Sequence, residues 1–250
     1  MERDEWRTLI TQLGSSRLPP VTAHTYLHSW NSFSRPVLLS CDDGNDYVVK
    51  GKQVGRAIVN DQIIGKLGEA IGAAVGRVGL VNVPQTLLDA EPKLRHMPAG
   101  VSHGSLVIRN CGDRLGIERY NVPENRPRFA SLALLYGWLP GNDSQFIYST
   151  DPPGLVHSVD HGHFFPGGPD WTVNNLSGAP AVCADSSIVT TCSLTKEELC
   201  GVIPHLPGID RYIANAVAAP PDEWGISLDE RIEVAQYLSR RYSELVVALA

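Results

Sequence analysis

The sequence predicts an α+β fold of two lobes, a small β-rich N-terminal lobe followed by a mainly helical C-terminal lobe. β-rich runs are concentrated before residue 98, helical patterns dominate after it, and a stretch bearing proline and glycine, residues 92–104, connects the two parts. The N-terminal lobe is therefore assigned to residues 1–98 and the C-terminal lobe to residues 99–250. A chain of 250 residues, of which 43% are hydrophobic, is long enough to bury a core in this arrangement.

The predicted N-terminal lobe contains a hairpin, a helix and a further strand. Arg35 to Lys50 has two β-rich runs on either side of an Asp-Gly turn, which predicts a hairpin whose second strand ends on Lys50. Residues 60–75 place apolar side chains at three-and-four spacing, which predicts a helix capped by Asn60. Residues 83–89 (VPQTLLD) predict a short strand.

The predicted C-terminal lobe begins with a buried helix over residues 128–139, because RFASLALLYGWL is almost wholly apolar. Residues 146–159 contain two short β runs around a Pro-Pro-Gly turn, which predicts a second hairpin. Capping-box patterns at Thr195–Glu198 and Ser227–Glu230 each predict the start of a helix.

Composition disfavours several classes of partner and location. The formal net charge is −6 and the basic residues are scattered, which argues against a nucleic-acid partner or an anionic membrane surface. The five cysteines form no C-x-x-C pair, and no apolar run is long enough for a membrane span. The N-terminal MERDEWRTLI lacks the pattern of a signal peptide, so we expect a cytoplasmic protein.

The second hairpin predicts a metal site. Asp143 and Gln145 precede its first strand and Asp160 follows its second, so the hairpin should bring these three residues together. Carboxylate and amide oxygens are the ligands that Mg²⁺ prefers, and Mg²⁺ in turn indicates a phosphorylated ligand. The arrangement favours phosphoryl transfer.

Lys50 is the candidate cation for the phosphates of that ligand. It ends an apolar strand and is followed by a helix that carries Asp61 and Glu69. Either acid could hold the lysine in an ion pair, and Asp61 is the preferred partner because Asn60 serves as the helix cap.

Several motifs in this order resemble the HipA-like kinases. They are YVVKG, NDQIIGKLGEAIG, GL-x-x-VP, GWLPGNDSQFIY and SVDHGHFFPGGPDW, and the similarity extends from about Tyr26 to the C-terminal helix. The VDHGHFFPGGPDW segment also resembles the type II phosphatidylinositol kinases. The resemblance implies a two-lobed protein-kinase-like fold, one catalytic unit that binds ATP and Mg²⁺ between its lobes.

The resemblance also implies roles for individual residues. Lys50 would contact the nucleotide phosphates, and Asp160 of the DHG sequence would bind the metal. Asp143 matches the catalytic-loop aspartate that orients and deprotonates the attacking hydroxyl, and Gln145 takes the place of a metal-binding asparagine. Relatives leave about four residues between these last two positions, whereas here Ser144 alone intervenes.

A glycine-rich phosphate loop of the G-x-G-x-x-G kind does not precede Lys50. The nearest candidates are Ser32 and Ser34 in NSFSRP, whose hydroxyls and neighbouring backbone amides could cover the phosphates.

The function predicted from these observations is an ATP- and Mg²⁺-dependent phosphotransferase acting on a hydroxyl acceptor. The family name implies a protein Ser or Thr acceptor, while the compact stretch from Asp160 to Trp171 keeps a small molecule or a lipid headgroup open. The shortened loop between Asp143 and Gln145 also leaves open a nucleotide-binding pseudokinase.

A hydrolase is the alternative from a different class. His157, Asp160, His161 and His163 have the residue types of a zinc or di-metal site. Strand alternation argues against it, because His157 and Asp160 should face opposite sides of their strand.

Overall fold

A five-stranded closed barrel forms the N-terminal part of the chain, in a computed structural model that describes residues 1–112, 116–141, 143–202 and 208–249. Its strands are β1 (Val21–Ser29), β2 (Val37–Cys41), β3 (Asp46–Lys50), β4 (Val78–Val83) and β5 (Gly100–Leu106), in the order β1-β2-β3-β5-β4. A parallel contact between β1 and β4 closes the barrel, and the other neighbours are antiparallel.

The predicted first hairpin is confirmed as β2 and β3. Its turn contains Gly44 in the left-handed region, at φ +78°, which glycine adopts without strain. Alternate side chains of β2, those of Val37, Leu39 and Cys41, are buried in the barrel core. Lys50 ends β3 and pairs with His103 of β5.

The predicted strand over residues 83–89 is wrong, because β4 ends at Val83 and a short helix, α3 (Gln85–Ala90), follows Pro84. Proline has no N–H for a sheet ladder and its fixed φ suits a helix start, and the helix then buries Leu88 against the barrel. The stretch 92–104 is not simply a connection either. β5 lies between β3 and β4, so the barrel continues past the predicted lobe boundary at residue 98.

Two more helices belong to this half of the chain, α1 (Arg3–Ser15) and α2 (Ala57–Ala70). Because α2 starts at Ala57, Asn60 lies inside the helix and is not its cap. Helix α2 is buried between the barrel strands β4 and β5 on one side and helix α8 (Ile209–Ala218) on the other. Helix α1 packs on α8 and on α9 (Leu228–Leu249).

The C-terminal part is mainly helical, as predicted. Its elements are α4 (Asn125–Trp138), β6 (Phe146–Tyr148), β7 (Val156–Ser158), α5 (Val173–Ser177), α6 (Ser186–Cys192), α7 (Lys196–Val202), α8 (Ile209–Ala218) and α9 (Leu228–Leu249). The buried helix α4 and the hairpin of β6 and β7 confirm the predictions for this region. Both capping boxes form through reciprocal side-chain and backbone bonds, at Thr195–Glu198 and Ser227–Glu230.

The predicted fold class is therefore confirmed. A large hydrophobic core joins α1, α2 and α4 to the C-terminal helices, and a smaller one fills the barrel. None of the helices in the described part of the chain is long and apolar enough to cross a membrane.

Candidate active site

A cleft of about 610 Å³ lies between the barrel and the second hairpin. Leu38 and Val48 line it from the barrel, and Ile147 and Val159 line it from the region of the hairpin. Other walls come from the β1–β2 loop, including Ser32, and from residues 105–108. Lys50 and Asp160 also line this cleft, so it combines apolar walls with a charged cluster.

Lys50 connects two segments that are far apart in the sequence. Its Nζ donates to Asp61 Oδ2 at 2.9 Å and to Asp160 Oδ1 at 2.5 Å. The Lys50 side chain is 8% exposed and that of Asp61 is 3% exposed. Burial acts to lower the pKa of Lys50, but the two carboxylates raise it above its ordinary value, so the ammonium form is stable here.

Asp61 joins α2 to the turn that follows β7. Its second oxygen, Oδ1, accepts the backbone N–H of His161 at 2.5 Å, next to Asp160. Burial acts to raise the pKa of Asp61, but Lys50 above all, with nearby His103 and His161, lowers it far below its ordinary value. The carboxylate is therefore ionised while fully enclosed.

Asp160 lies immediately beyond β7 in a left-handed backbone conformation, at φ +63°. A side chain other than glycine adopts this conformation at some cost, and such positions occur where surrounding contacts fix the chain. Here the His161 N–H bond to Asp61 and the Asp160 bond to Lys50 provide those contacts. The strained turn therefore directs the Asp160 carboxylate to Lys50.

Asp143 and Gln145 contact each other just before β6, at the same open end of the second hairpin as Asp160. Gln145 Nε2 donates to Asp143 Oδ2 at 2.6 Å, and the Asp143 side chain is exposed. The Gln145 backbone carbonyl accepts the N–H of Val159 at 3.0 Å, which places it beside the chain leading into Asp160. The predicted proximity of the hairpin ends is thus seen in the backbone.

The remaining predicted residues have different positions. Ser32 lines the cleft, and Ser34 belongs to the same loop. Glu69, the second candidate partner for Lys50, instead accepts the backbone N–H of Val78 at 2.6 Å and contacts Lys66 at 3.4 Å.

Two side chains at the open end of the second hairpin, those of Gln145 and Asp160, carry oxygen atoms of the kind that a hard cation binds. Gln145 Oε1 is buried without a hydrogen-bond partner, and a buried acceptor of this kind needs a donor or a cation. Together with the Asp160 carboxylate it offers the type of oxygen ligand that Mg²⁺ binds.

The histidine cluster does not form a metal site. In residues 1–112, 116–141, 143–202 and 208–249, no group of three or more His, Cys, Asp or Glu side chains is arranged to hold a metal ion. His157 Nδ1 pairs with Arg128 at 3.0 Å, whereas His161 Nε2 pairs with the buried Ser158 hydroxyl at 2.8 Å. The two rings have separate partners, so the geometry gives the hydrolase alternative no support.

Sequence reasoning missed several polar residues around the cluster. His103 bonds to Gln62 Oε1 at 2.8 Å, and its Nε2 lies 4.0 Å from Asp61 Oδ2. Asn60 contacts the chain after Asp160 and the Trp171 indole. A signal for Asn60 existed, because it lies on the same helical stripe as Ile63, Ile64 and Leu67, where a polar side chain needs buried partners.

Comparison with known proteins finds similarity to kinases. The family model described as HipA-like kinase matches residues 27–135. Among solved structures, the Helicobacter pylori proinflammatory kinase CtkA superposes with a TM-score of 0.61 at 8% identity, over 92% of this chain and 96% of that one. The Golgi casein kinase superposes with a TM-score of 0.51 at 10% identity, over 99% of this chain and 77% of that one.

The fold is that of a protein kinase. A second structure of the Golgi casein kinase, with Mn/ADP bound, superposes with a TM-score of 0.53 at 10% identity, over 98% of this chain and 76% of that one. No curated protein matches the sequence. The predicted resemblance to HipA-like kinases is confirmed, and the matched region contains Lys50 and Asp61 but ends before Asp143. The family match and the kinase fold together support a phosphotransferase.

Proposed function

We propose that the protein is a kinase that uses ATP and Mg²⁺ to phosphorylate a hydroxyl acceptor. One observation carries the proposal: a buried lysine on the wall of the cleft is held by carboxylates from two distant segments, Asp61 and Asp160. In kinases a lysine and a metal-binding aspartate flank the nucleotide phosphates in this way.

The shape and lining of the cleft support nucleotide binding. The apolar side chains of Leu38, Val48, Ile147 and Val159 offer surfaces for a flat base, and Lys50 offers its ammonium group to the phosphates. Asp61 restricts Lys50 to one geometry, which lowers the entropy lost when phosphate binds. Ser32 and Ser34, in the β1–β2 loop, would cover the phosphates.

Asp160 and Gln145 would hold Mg²⁺. The metal, when bound, neutralises charge on the phosphate oxygens. The unpartnered Gln145 oxygen supports this role, and the Golgi casein kinase solved with Mn/ADP offers a parallel on the same fold.

Asp143 would position the acceptor. Its carboxylate accepts the proton of the acceptor hydroxyl as that oxygen bonds to the γ-phosphorus, while the bond from the γ-phosphorus to the bridging oxygen of ATP breaks. The products are ADP and the phosphorylated acceptor. The Gln145 bond to Asp143 holds the carboxylate in place despite the shortened loop.

A transfer assay tests the proposal. Purified protein is given γ-labelled ATP and Mg²⁺ with separate protein, small-molecule and phosphoinositide-vesicle fractions as acceptors. We expect label to enter one fraction, a protein Ser or Thr hydroxyl being the first candidate, and Lys50→Met and Asp160→Asn to abolish transfer. The matched control is Lys52→Met, since Lys52 lies two residues away and pairs with Glu223 at 3.4 Å at the surface.

Two results would contradict the proposal. ATP binding with no transfer to any fraction would instead indicate a pseudokinase. Phosphoryl transfer that persists in Lys50→Met would mean that the reaction does not take place in this cleft.

A further inference from the structure

Asn60 makes an unusual set of contacts for a side chain inside a helix. Its Nδ2 donates to the carbonyl oxygens of Gly162 at 2.9 Å, Phe164 at 3.0 Å and Gly168 at 3.2 Å. Its Oδ1 accepts the Trp171 indole N–H at 3.0 Å. Asn60 is completely buried, so one amide group contacts four polar groups in the interior, and its two N–H donors are shared among the three carbonyls.

These four partners all belong to the chain that follows Asp160. We call residues 161–171, which start at the histidine directly after Asp160 of the DHG sequence, the post-DHG segment. It has no regular helix or strand apart from one 3-10 turn, so its backbone carbonyls cannot all be satisfied by secondary structure. Phe164 and Phe165 are fully buried, which holds the segment against the core.

The far end of the post-DHG segment is held as well. The Arg56 guanidinium, directly before α2, lies over the Trp171 ring at 4.3 Å and bonds to Glu230 of α9 at 2.8 Å. Trp171 is thus fixed both by its indole N–H and by its ring face.

Asn60 also adjoins the charged cluster in the sequence. The next residue, Asp61, accepts from both Lys50 and the His161 N–H. Consecutive residues of α2 therefore bind both the lysine and the whole length of the post-DHG segment. Because the helix is buried between the barrel and α8, this arrangement fixes Asp160 relative to Lys50.

We propose that Asn60 is a positioning residue that locks the post-DHG segment onto α2, so that Lys50, Asp61 and Asp160 stay assembled without an activating phosphorylation. This inference rests on the proposed kinase function and concerns how that function is regulated. The segment is ordered by hydrogen bonds of its own chain, so an added phosphate is not needed to order it.

Hydrogen exchange tests the lock directly. Trp171→Phe keeps the aromatic ring but removes the N–H that fixes Asn60, and Asn60→Asp keeps the size but removes the donors. We expect amide exchange in the post-DHG segment to rise at least about tenfold in each variant. Trp138→Phe removes another buried indole bond, to the Leu238 carbonyl, and Asn174→Asp alters an exposed asparagine, so both controls should leave the segment unchanged.

Turnover provides the second measurement. With saturating ATP and Mg²⁺, Trp171→Phe should lower kcat about tenfold while KM for ATP changes less than about twofold, since Lys50 and much of the cleft belong to the barrel. Trp138→Phe should keep its kcat. Wild-type protein treated with a protein phosphatase should turn over as fast as untreated protein.

The outcomes separate the lock from the kinase function. Unchanged exchange in both Trp171→Phe and Asn60→Asp would overturn the lock, and if Asn60→Asp does not fold, Trp171→Phe decides. Loss of turnover after phosphatase treatment would overturn independence from phosphorylation. A wild-type protein without any turnover would overturn the kinase function, while exchange would still decide whether the lock exists.

Discussion

Burial of the ion pair between Lys50 and Asp61 carries a large desolvation cost. Both side chains are almost fully enclosed, and removing two charges from water costs several kcal/mol per ion before their attraction offsets it. Well-packed apolar side chains at such positions often give equal or greater stability. The pair is therefore better explained by ligand binding than by stability.

Substitution of Lys50 tests this view at the level of stability. Lys50→Met should lower the free energy of unfolding by about 3 kcal/mol, because Asp61 and Asp160 then lose the ammonium group that both of them bind. Adding Asp61→Asn should recover part of the loss, since one of the two carboxylates is removed. Urea denaturation of the two single variants and the double variant measures the coupling, with Lys52→Met as the control. Additive losses would show that the two side chains are energetically independent.

Alkylation of the Cys111 thiol tests nucleotide binding in the cleft without an activity assay. Its thiol lines the cleft with Lys50 and Asp160, whereas Cys183 is exposed elsewhere. We expect ATP with Mg²⁺ to slow alkylation of Cys111 at least about fivefold by covering it, and to leave Cys183 unaffected. Burial raises the pKa of the Cys111 thiol, so the reaction should be followed at mildly alkaline pH by peptide mass spectrometry. Equal protection of both cysteines would argue against nucleotide in this cleft.

At the scale of the element, α2 determines the site through its close approach to the barrel. A Cβ added at Gly65 would lie 2.6 Å from Val78 Cγ1, so only glycine lets the helix approach β4 at this distance. One turn earlier the same helix carries Asp61 to Lys50. Any displacement of the helix therefore changes the ion pair.

Gly65→Ala should be destabilising by about 1–3 kcal/mol, because it overpacks the contact with β4. It should also weaken ATP binding by displacing Asp61. The helical control is Gly14→Ala in α1, where a Cβ would meet no atom closer than Arg17 Nη2 at 3.7 Å, so we expect no loss of stability there. Val78→Ala makes room for the added methyl, and the double variant should be more stable than additivity predicts. Calorimetric ATP titration and denaturant unfolding measure both effects, and an unperturbed Gly65→Ala would contradict the close-packing argument.

Elements with strong local signals were predictable, and those decided by tertiary contacts were not. The hairpin ending on Lys50, the apolar helix α4 and the two capping boxes depend on neighbouring residues, and all of them form. Residues 83–89 have β-type composition, but Pro84 and the burial of Leu88 favour a helix there.

At the scale of the whole molecule, the site is assembled from segments separated by about a hundred residues. The sequence singled out Lys50, Asp61 and Asp160 because each lies at or near the end of a recognisable element: Lys50 ends a strand, Asp61 lies near the start of a helix and Asp160 follows the second hairpin. The fold brings them into contact. It could not reveal the bonds of Asn60 or the burial of His103 and His161, because these depend on the packing of α2 against both parts of the chain. Because these two histidines are buried, their protonation should affect the stability of the whole molecule.

Global stability should fall in mild acid. Burial lowers the pKa of His103 to about 4, outweighing the pull of nearby Asp61, and burial also lowers the pKa of His161. Both rings have lower pKa values folded than unfolded, where a histidine titrates near 6.5. The unfolded state therefore binds more protons between about pH 6.5 and 4, and the stability present above this range is lost as the pH falls.

Urea unfolding at pH 7, 6 and 5 measures this dependence. His103 should account for about 2 kcal/mol of the decrease in unfolding free energy between pH 7 and 5. His103→Gln should remove that part of the slope, whereas His24→Gln, at an exposed position on β1, should leave it intact. Asp61 acts in the same direction but at lower pH, since its lowered pKa removes stability as the pH falls below about 4. A slope that persists unchanged in His103→Gln would mean that the enclosed ring is not what makes the folded state sensitive to acid.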